Sequence, residues 1–164
     1  MVILGIDPGY ATIGYGVVEK NERGLVKALD YGIISTPKDK SIAQRLVMIK
    51  EGMQALIARY NPQAVAVEEL FFNTNITTGI AVAEARGVIL LTAQEQVGHV
   101  YEYTPSQVKQ AITGTGRADK MQVQYMVQLL LKLAKRPQPD DAADALAVAI
   151  AHANTNQRLT STRT

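Results

Sequence analysis

Cysteine is absent from this chain and histidine occurs only twice. The first absence excludes disulfides, thiolate nucleophiles and cysteine-ligated zinc. His99 and His152 lie far apart with no ligand-spaced partner, so neither a histidine metal site nor a Ser-His-Asp triad is expected. Met1 to Ile6 is apolar but too short for a signal-peptide core, and it lacks a basic lead-in. The longest apolar stretches are of strand or helix size, so no membrane span is expected and a cytoplasmic location is the default. Phenylalanine is scarce too, with only Phe71 and Phe72. A net charge of +2 is by itself weak grounds for a polyanionic partner.

What is present fits one domain. The chain has 164 residues, 47% of them hydrophobic, enough to bury a substantial core. The domain is expected over 1–153, with a flexible, polar, Thr-rich tail at 154–164. Charge is unevenly spread. From Lys109 to Arg136 six basic residues, Lys109, Arg117, Lys120, Lys132, Lys135 and Arg136, face one acid, Asp119. That segment therefore carries +5 and the rest of the chain −3, a polarity suited to holding phosphates. Lys132 and Lys135 read more simply as the solvated face of an amphipathic helix.

Hydrophobic patterning predicts an α/β domain. Val2 to Ile6 is a buried strand, and 13–18 and 25–35 are further strands joined by the polar turn 21–24, so the chain opens as an antiparallel meander. Ile42, Leu46, Ile49, Met53 and Leu56 recur at spacings of four and three, which makes 41–60 an amphipathic helix ended by Asn61-Pro62. A strand at 64–67, a long helix at 77–97 and a strand at 99–103 follow. Thr104-Pro105-Ser106-Gln107 then opens a helix with capping-box spacing, and two more helices close the domain. The sheet is five-stranded and mixed, three meander strands plus parallel ones. In the 77–97 helix Gly79, Ala83 and Gly87 form a small-residue stripe, while Ile80, Val82, Val88 and Leu91 make it apolar on more than one side. Such a helix needs two burying surfaces, one of which could be the same helix of a second subunit.

Carboxylates punctuate this pattern. Asp7 ends the first strand at a Pro-Gly turn, Glu68-Glu69 follows the strand at 64–67, and Asp140, Asp141 and Asp144 open the last helix. A turn explains Asp7, and a helix cap explains Asp140 or Asp141, but neither explains two acids at the end of a Val/Ala strand. If the strands ending at Asp7 and Glu68 are adjacent and parallel, both acids reach the sheet's carboxyl end, where such sheets place ligands. Asp141 and Asp144, at i and i+3, share a helix face. Converging carboxylates need shared protons or cations, and an all-oxygen set favours Mg²⁺ or Mn²⁺. Two such ions form the clamp used for in-line phosphoryl displacement.

Five motifs, Gly5-Ile6-Asp7-Pro8-Gly9, Val67-Glu68-Glu69-Leu70-Phe71, Glu84-Ala85-Arg86-Gly87, Gln107-Val108-Lys109-Gln110 and Asp141-Ala142-Ala143-Asp144-Ala145-Leu146, occur in order across residues 1–153. Together they closely resemble the bacterial RuvC family. The resemblance implies a ribonuclease H-like fold, a homodimer, and paired metal-dependent incision of Holliday junctions leaving 5′-phosphate and 3′-hydroxyl ends. It implies metal ligands at Asp7, Glu68, Asp141 and Asp144, holding two Mg²⁺ or Mn²⁺ ions, with Lys109 and Lys120 beside the scissile phosphate. Phe71, Lys109, Arg117 and Lys120 are the expected DNA contacts, Phe71 by stacking on bases. The RuvA-RuvB branch-migration complex is the implied partner. Asp140 is left as a helix cap or an outer carboxylate, and Glu69, on the opposite face of an extended segment from Glu68, as a bystander. Two rival readings concern the Asp7 loop. A YqgF-type relative of the same fold acts on RNA, and 7–12 also resembles the phosphate loop of actin-like nucleotide-binding proteins, which need two domains around their cleft.

Overall fold

The computed structural model describes residues 1–69 and 76–155. The expectations for Phe71 and Phe72, and for the tail beyond 155, lie outside the described residues. Ten elements follow in order: β1 (Val2–Asp7), β2 (Thr12–Lys20), β3 (Val26–Ser35), α1 (Ile42–Tyr60), β4 (Ala64–Glu68), α2 (Ile76–Gln96), β5 (Val100–Tyr103), α3 (Pro105–Thr113), α4 (Lys120–Leu130) and α5 (Asp140–Asn154). They form a five-stranded sheet of order β3-β2-β1-β4-β5. β1, β2 and β3 pair antiparallel, whereas β1 with β4 and β4 with β5 are parallel.

Local chemistry sets the boundaries. Asn21 Oδ1 accepts the amides of Arg23 and Leu25, closing the β2–β3 turn. Ser41, Thr104 and Asp119 each form a capping box, opening α1, α3 and α4. α1 ends at Asn61, in the left-handed conformation that Asn tolerates and that makes a helix stop. α5 corrects one expectation. Its N-cap is Pro139, with no side-chain cap, so Asp140 is the first helical residue and not the cap.

Strand alternation divides the interior into two cores. Leu4, Ile6, Val65 and Val67 pack with Ile49, Met53, Ala85, Ile89 and Ala93 under α1 and α2. Ile3, Ala66 and Val18 pack with Val108, Val123, Val127 and the whole inner side of α5 under α3, α4 and α5. α5 sits unusually close to the sheet, because glycines lie beneath it. A Cβ at Gly5 would overlap the Ala145 carbonyl, one at Gly14 the Asp141 carbonyl, and one at Gly16 the backbone of Leu146. The helix answers with alanines at 142, 143, 145, 147, 149, 151 and 153, all buried.

α2 is only half covered. By length and composition alone it is apolar enough to cross a membrane, a test that a helix packed on a sheet can also pass. The cause is a helix apolar on two sides. One side buries Ala85, Ile89, Thr92 and Ala93, while Ile76, Ile80 and Leu91 are 76%, 52% and 59% exposed on the other. Among the described residues, nothing buries that second side.

Candidate metal centre

β1 and β4 are in parallel register, Ile6 opposite Val67, so Asp7 and Glu68 come next, side by side at the carboxyl ends of the strands. The alternation that sends Ile6 and Val67 towards α1 and α2 turns both acids towards α5. The seam of glycines and alanines then brings the first turn of α5 onto them. One carboxylate oxygen each of Asp7, Asp141 and Asp144 lies within 4.8 Å of the others. Glu68 stands outside that trio. It lines a neighbouring cavity of about 290 Å³ with Asp144, Lys109 and Lys120.

These acids are held against their charge. Burial, then repulsion from Glu68, Asp144 and Asp141, pushes the Asp7 carboxyl up to about 8. Burial and Asp144 push Glu68 up to about 7, with Lys109 opposing the shift. Asp144 is also raised, by burial first, with Lys120 opposing. At neutral pH such a cluster requires either bound protons or a cation. Hard oxygen donors converging from three directions, with no sulfur or imidazole among them, fit a hard divalent ion.

The lysines arrive from two helices. Lys109 follows the buried Val108 on α3, and Lys120 is the first residue of α4, whose cap is Asp119. Lys120 Nζ lies 3.2 Å from Asp140 Oδ2 and 3.9 Å from Asp144 Oδ2. Asp140 also accepts a hydrogen bond of 3.1 Å from Gln124 Nε2, a side chain buried on α4. These two donors hold its carboxyl below the usual range, opposite in direction to Asp7 and Asp144. Asp140 therefore ties α4 to α5 and steers Lys120, while the trio forms without it. Arg117 is exposed in the loop before α4 and does not line the cavity. Glu69 is fixed by its amide, which donates to the Tyr103 carbonyl.

One supporting residue escaped sequence reasoning. Arg86 of α2 donates to the Glu68 carbonyl at 3.4 Å and pairs with Glu102 on β5, bracing the strand end that carries Glu68. Its signal was present in the Glu84-Ala85-Arg86-Gly87 motif, but nothing local assigns the arginine a partner. His152 is likewise no ligand. It stacks on Tyr101, its Nδ1 lies 2.6 Å from Tyr103 Oη, and burial pushes it down to about 4. Eight residues separate it from Asp144 along α5, about 12 Å at helical rise.

A mixed sheet of this order with acids from β1, β4 and a terminal helix defines the ribonuclease H-like class. Within it, the family model for "Crossover junction endodeoxyribonuclease RuvC" matches residues 3–152. The curated protein of that name from Clostridioides difficile is 53% identical over 158 residues, 96% of this chain and 92% of its own. The Thermus thermophilus RuvC structure superposes with a TM-score of 0.86 at 39% identity, covering 94% of each chain. The same protein in complex with a Holliday junction substrate gives 0.87 at 38% identity, covering 93% of each. The chain belongs to the RuvC family.

Proposed function

We propose that this protein is a crossover junction endodeoxyribonuclease, resolving Holliday junctions by paired, metal-dependent phosphodiester hydrolysis in recombination and repair. The observation that carries the chemistry is the convergence of the Asp7, Asp141 and Asp144 carboxylates beside a cavity holding Glu68 and two lysines. Asp7, Glu68, Asp141 and Asp144 are assigned as the ligand set, for two Mg²⁺ or Mn²⁺ ions. Divalent ions bound there supply charge neutralisation and Lewis-acid activation for in-line displacement. The chain's own residues do the rest. Asp7 and Glu68, on rigid strand ends, fix one side of the centre, and the first turn of α5 fixes the other. Lys109 and Lys120 hold the scissile phosphate and offset charge developing on it. Asp140 keeps the Lys120 ammonium pointed at the site. Products carry a 5′-phosphate and a 3′-hydroxyl.

The α2 face with Ile76, Ile80 and Leu91 is assigned to a two-fold dimer, which sets two such centres against the two opposed strands of a junction. Arg117, exposed within the basic segment, and Phe71 are assigned to DNA contact outside the metal centre. A cytoplasmic location and the RuvA-RuvB complex as partner complete the reading.

The test is incubation of a synthetic four-way junction with Mg²⁺ and single variants. Asp7→Asn, Glu68→Gln and Asp141→Asn are expected to bind the junction and leave it uncut. Asp140→Asn, which can still accept from Gln124, is expected to lose no more than about tenfold, the lower end for a residue that orients others. Loss of cutting in Asp140→Asn with Asp141→Asn still active would reverse the ligand assignment.

A further inference from the structure

A second cavity, of about 450 Å³, opens between the N-terminal ends of α1 and α2 and takes part of its wall from Tyr10. Tyr10 is three residues beyond Asp7, at most about 11 Å of extended chain. Lys40, Arg45, Ile80 and Glu84 also line it. Arg45 is the anomaly. It is only 8% exposed, its guanidinium lies 5.3 Å from the centre of the Tyr10 ring, and among the described residues its side chain makes no hydrogen bond or ion pair. Glu84 lines the same cavity without pairing to it.

A guanidinium carries five donors in a rigid fork, and because no side-chain nitrogen among the described residues is sealed from solvent without a partner, the fork opens onto the cavity with its donors left to whatever enters it. Three further features give that missing acceptor a sign and a shape. Lys40 adds a second cation, so the titratable groups around the cavity, Lys40, Arg45 and Glu84, sum to +1. The capping box of α1 occupies the Gln44 amide, whereas those of Ile42 and Ala43 donate to no protein acceptor among the described residues. Stacking on Tyr10 orients the guanidinium plane, which suits two parallel hydrogen bonds to a tetrahedral oxyanion better than a point charge would.

We propose that this cavity binds a backbone phosphate of the junction DNA, outside the metal centre, with Arg45 as its bidentate donor and Lys40 as its second cation. The proposal rests on the nuclease reading, because that reading supplies the phosphate. Both cavities lie at the end of the sheet where β1 delivers Asp7, so a strand leaving the metal centre around the β1–β2 turn meets Arg45 next. The site thus anchors a junction arm and fixes its direction. Ile80 belongs both to this cavity and to the exposed face of α2, which places the anchor at the rim of the proposed dimer contact.

Binding of a synthetic four-way junction in EDTA, measured as Kd over a salt series, tests it with three variants. Lys40→Ala and Arg45→Met, the latter keeping bulk against Tyr10, should each lower the slope of log Kd on log salt by about 0.9, one phosphate contact. Lys50→Ala, an exposed lysine further along α1, should keep the wild-type slope. Unchanged slopes in both test variants, or an equal loss in Lys50→Ala, would overturn the proposal. So would an unchanged slope in Arg45→Met with a weakened dimer by light scattering, which would give the guanidinium to the partner subunit. Should circular dichroism show Arg45→Met unfolded, exposed Lys40 decides alone. Wild-type protein that neither binds nor cuts the junction would sink the nuclease reading itself, whereas wild-type cutting with unchanged slopes sinks only the anchor.

Discussion

Asp7 is the residue on which the chemistry and the stability of the fold pull in opposite directions. Burial and the neighbouring acids push its carboxyl from 3.8 up to about 8, so between those values the native state holds a proton that the unfolded chain does not. The contribution of Asp7 to folding stability is therefore fully present below about pH 4 and is lost as pH rises towards 8. Glu68 adds the same sign over a window closing near 7. In EDTA, the melting temperature is expected to fall from pH 5 to pH 8, and Asp7→Asn should remove much of that fall, worth on the order of a few kcal/mol at pH 8. Mg²⁺ added at pH 8 should raise the wild-type melting temperature and leave Asp7→Asn nearly unmoved. A wild-type melting curve independent of pH over this range would show that the cluster is not electrostatically loaded.

Among the elements, α5 carries the tightest constraint. Gly14 faces the Asp141 carbonyl with no room for a methyl group, and Gly5 faces Ala145 in the same way. Gly14→Ala must push the first turn of α5 off the sheet, with overpacking costing about 1–3 kcal/mol, and it moves Asp141 and Asp144 away from Asp7. Junction cutting should fall by far more than junction binding, a split readable by gel shift and cleavage on the same sample. Much of this architecture was legible in the sequence. Apolar runs, the Thr104 capping spacing and the 42–56 stripe placed nearly every element, and the strand-end acids pointed to the carboxylate cluster. What stayed illegible was whatever depends on distant partners. Asp140 reads locally as a cap, yet its carboxylate belongs to Lys120 and Gln124 across a helix pair. Arg86 and Arg45 read as ordinary helical arginines, and only folding shows one bracing Glu68 and the other laid over Tyr10 at the wall of a cavity.

At the scale of the molecule, the three-layer domain leaves α2 with an apolar side that the described residues do not cover. Ile80→Glu and Leu91→Glu together should convert a dimer to monomers by light scattering at micromolar concentration. Paired incisions should then separate into slow, independent nicks, measurable as linear versus nicked product from a cruciform plasmid. Persistent dimers in that double variant would place the contact elsewhere. The placement of the acids along the chain has a further consequence in time. β1 and β4 contribute Asp7 and Glu68 early, but Asp141 and Asp144 lie on α5, the last element, whose docking needs the finished sheet beneath it. During synthesis from the N-terminus, no partial chain that ends before α5 holds more than two of the four acids. On the ligand set proposed above, cutting ability is the final product of folding, and a chain lacking α5 is expected to leave a four-way junction uncut.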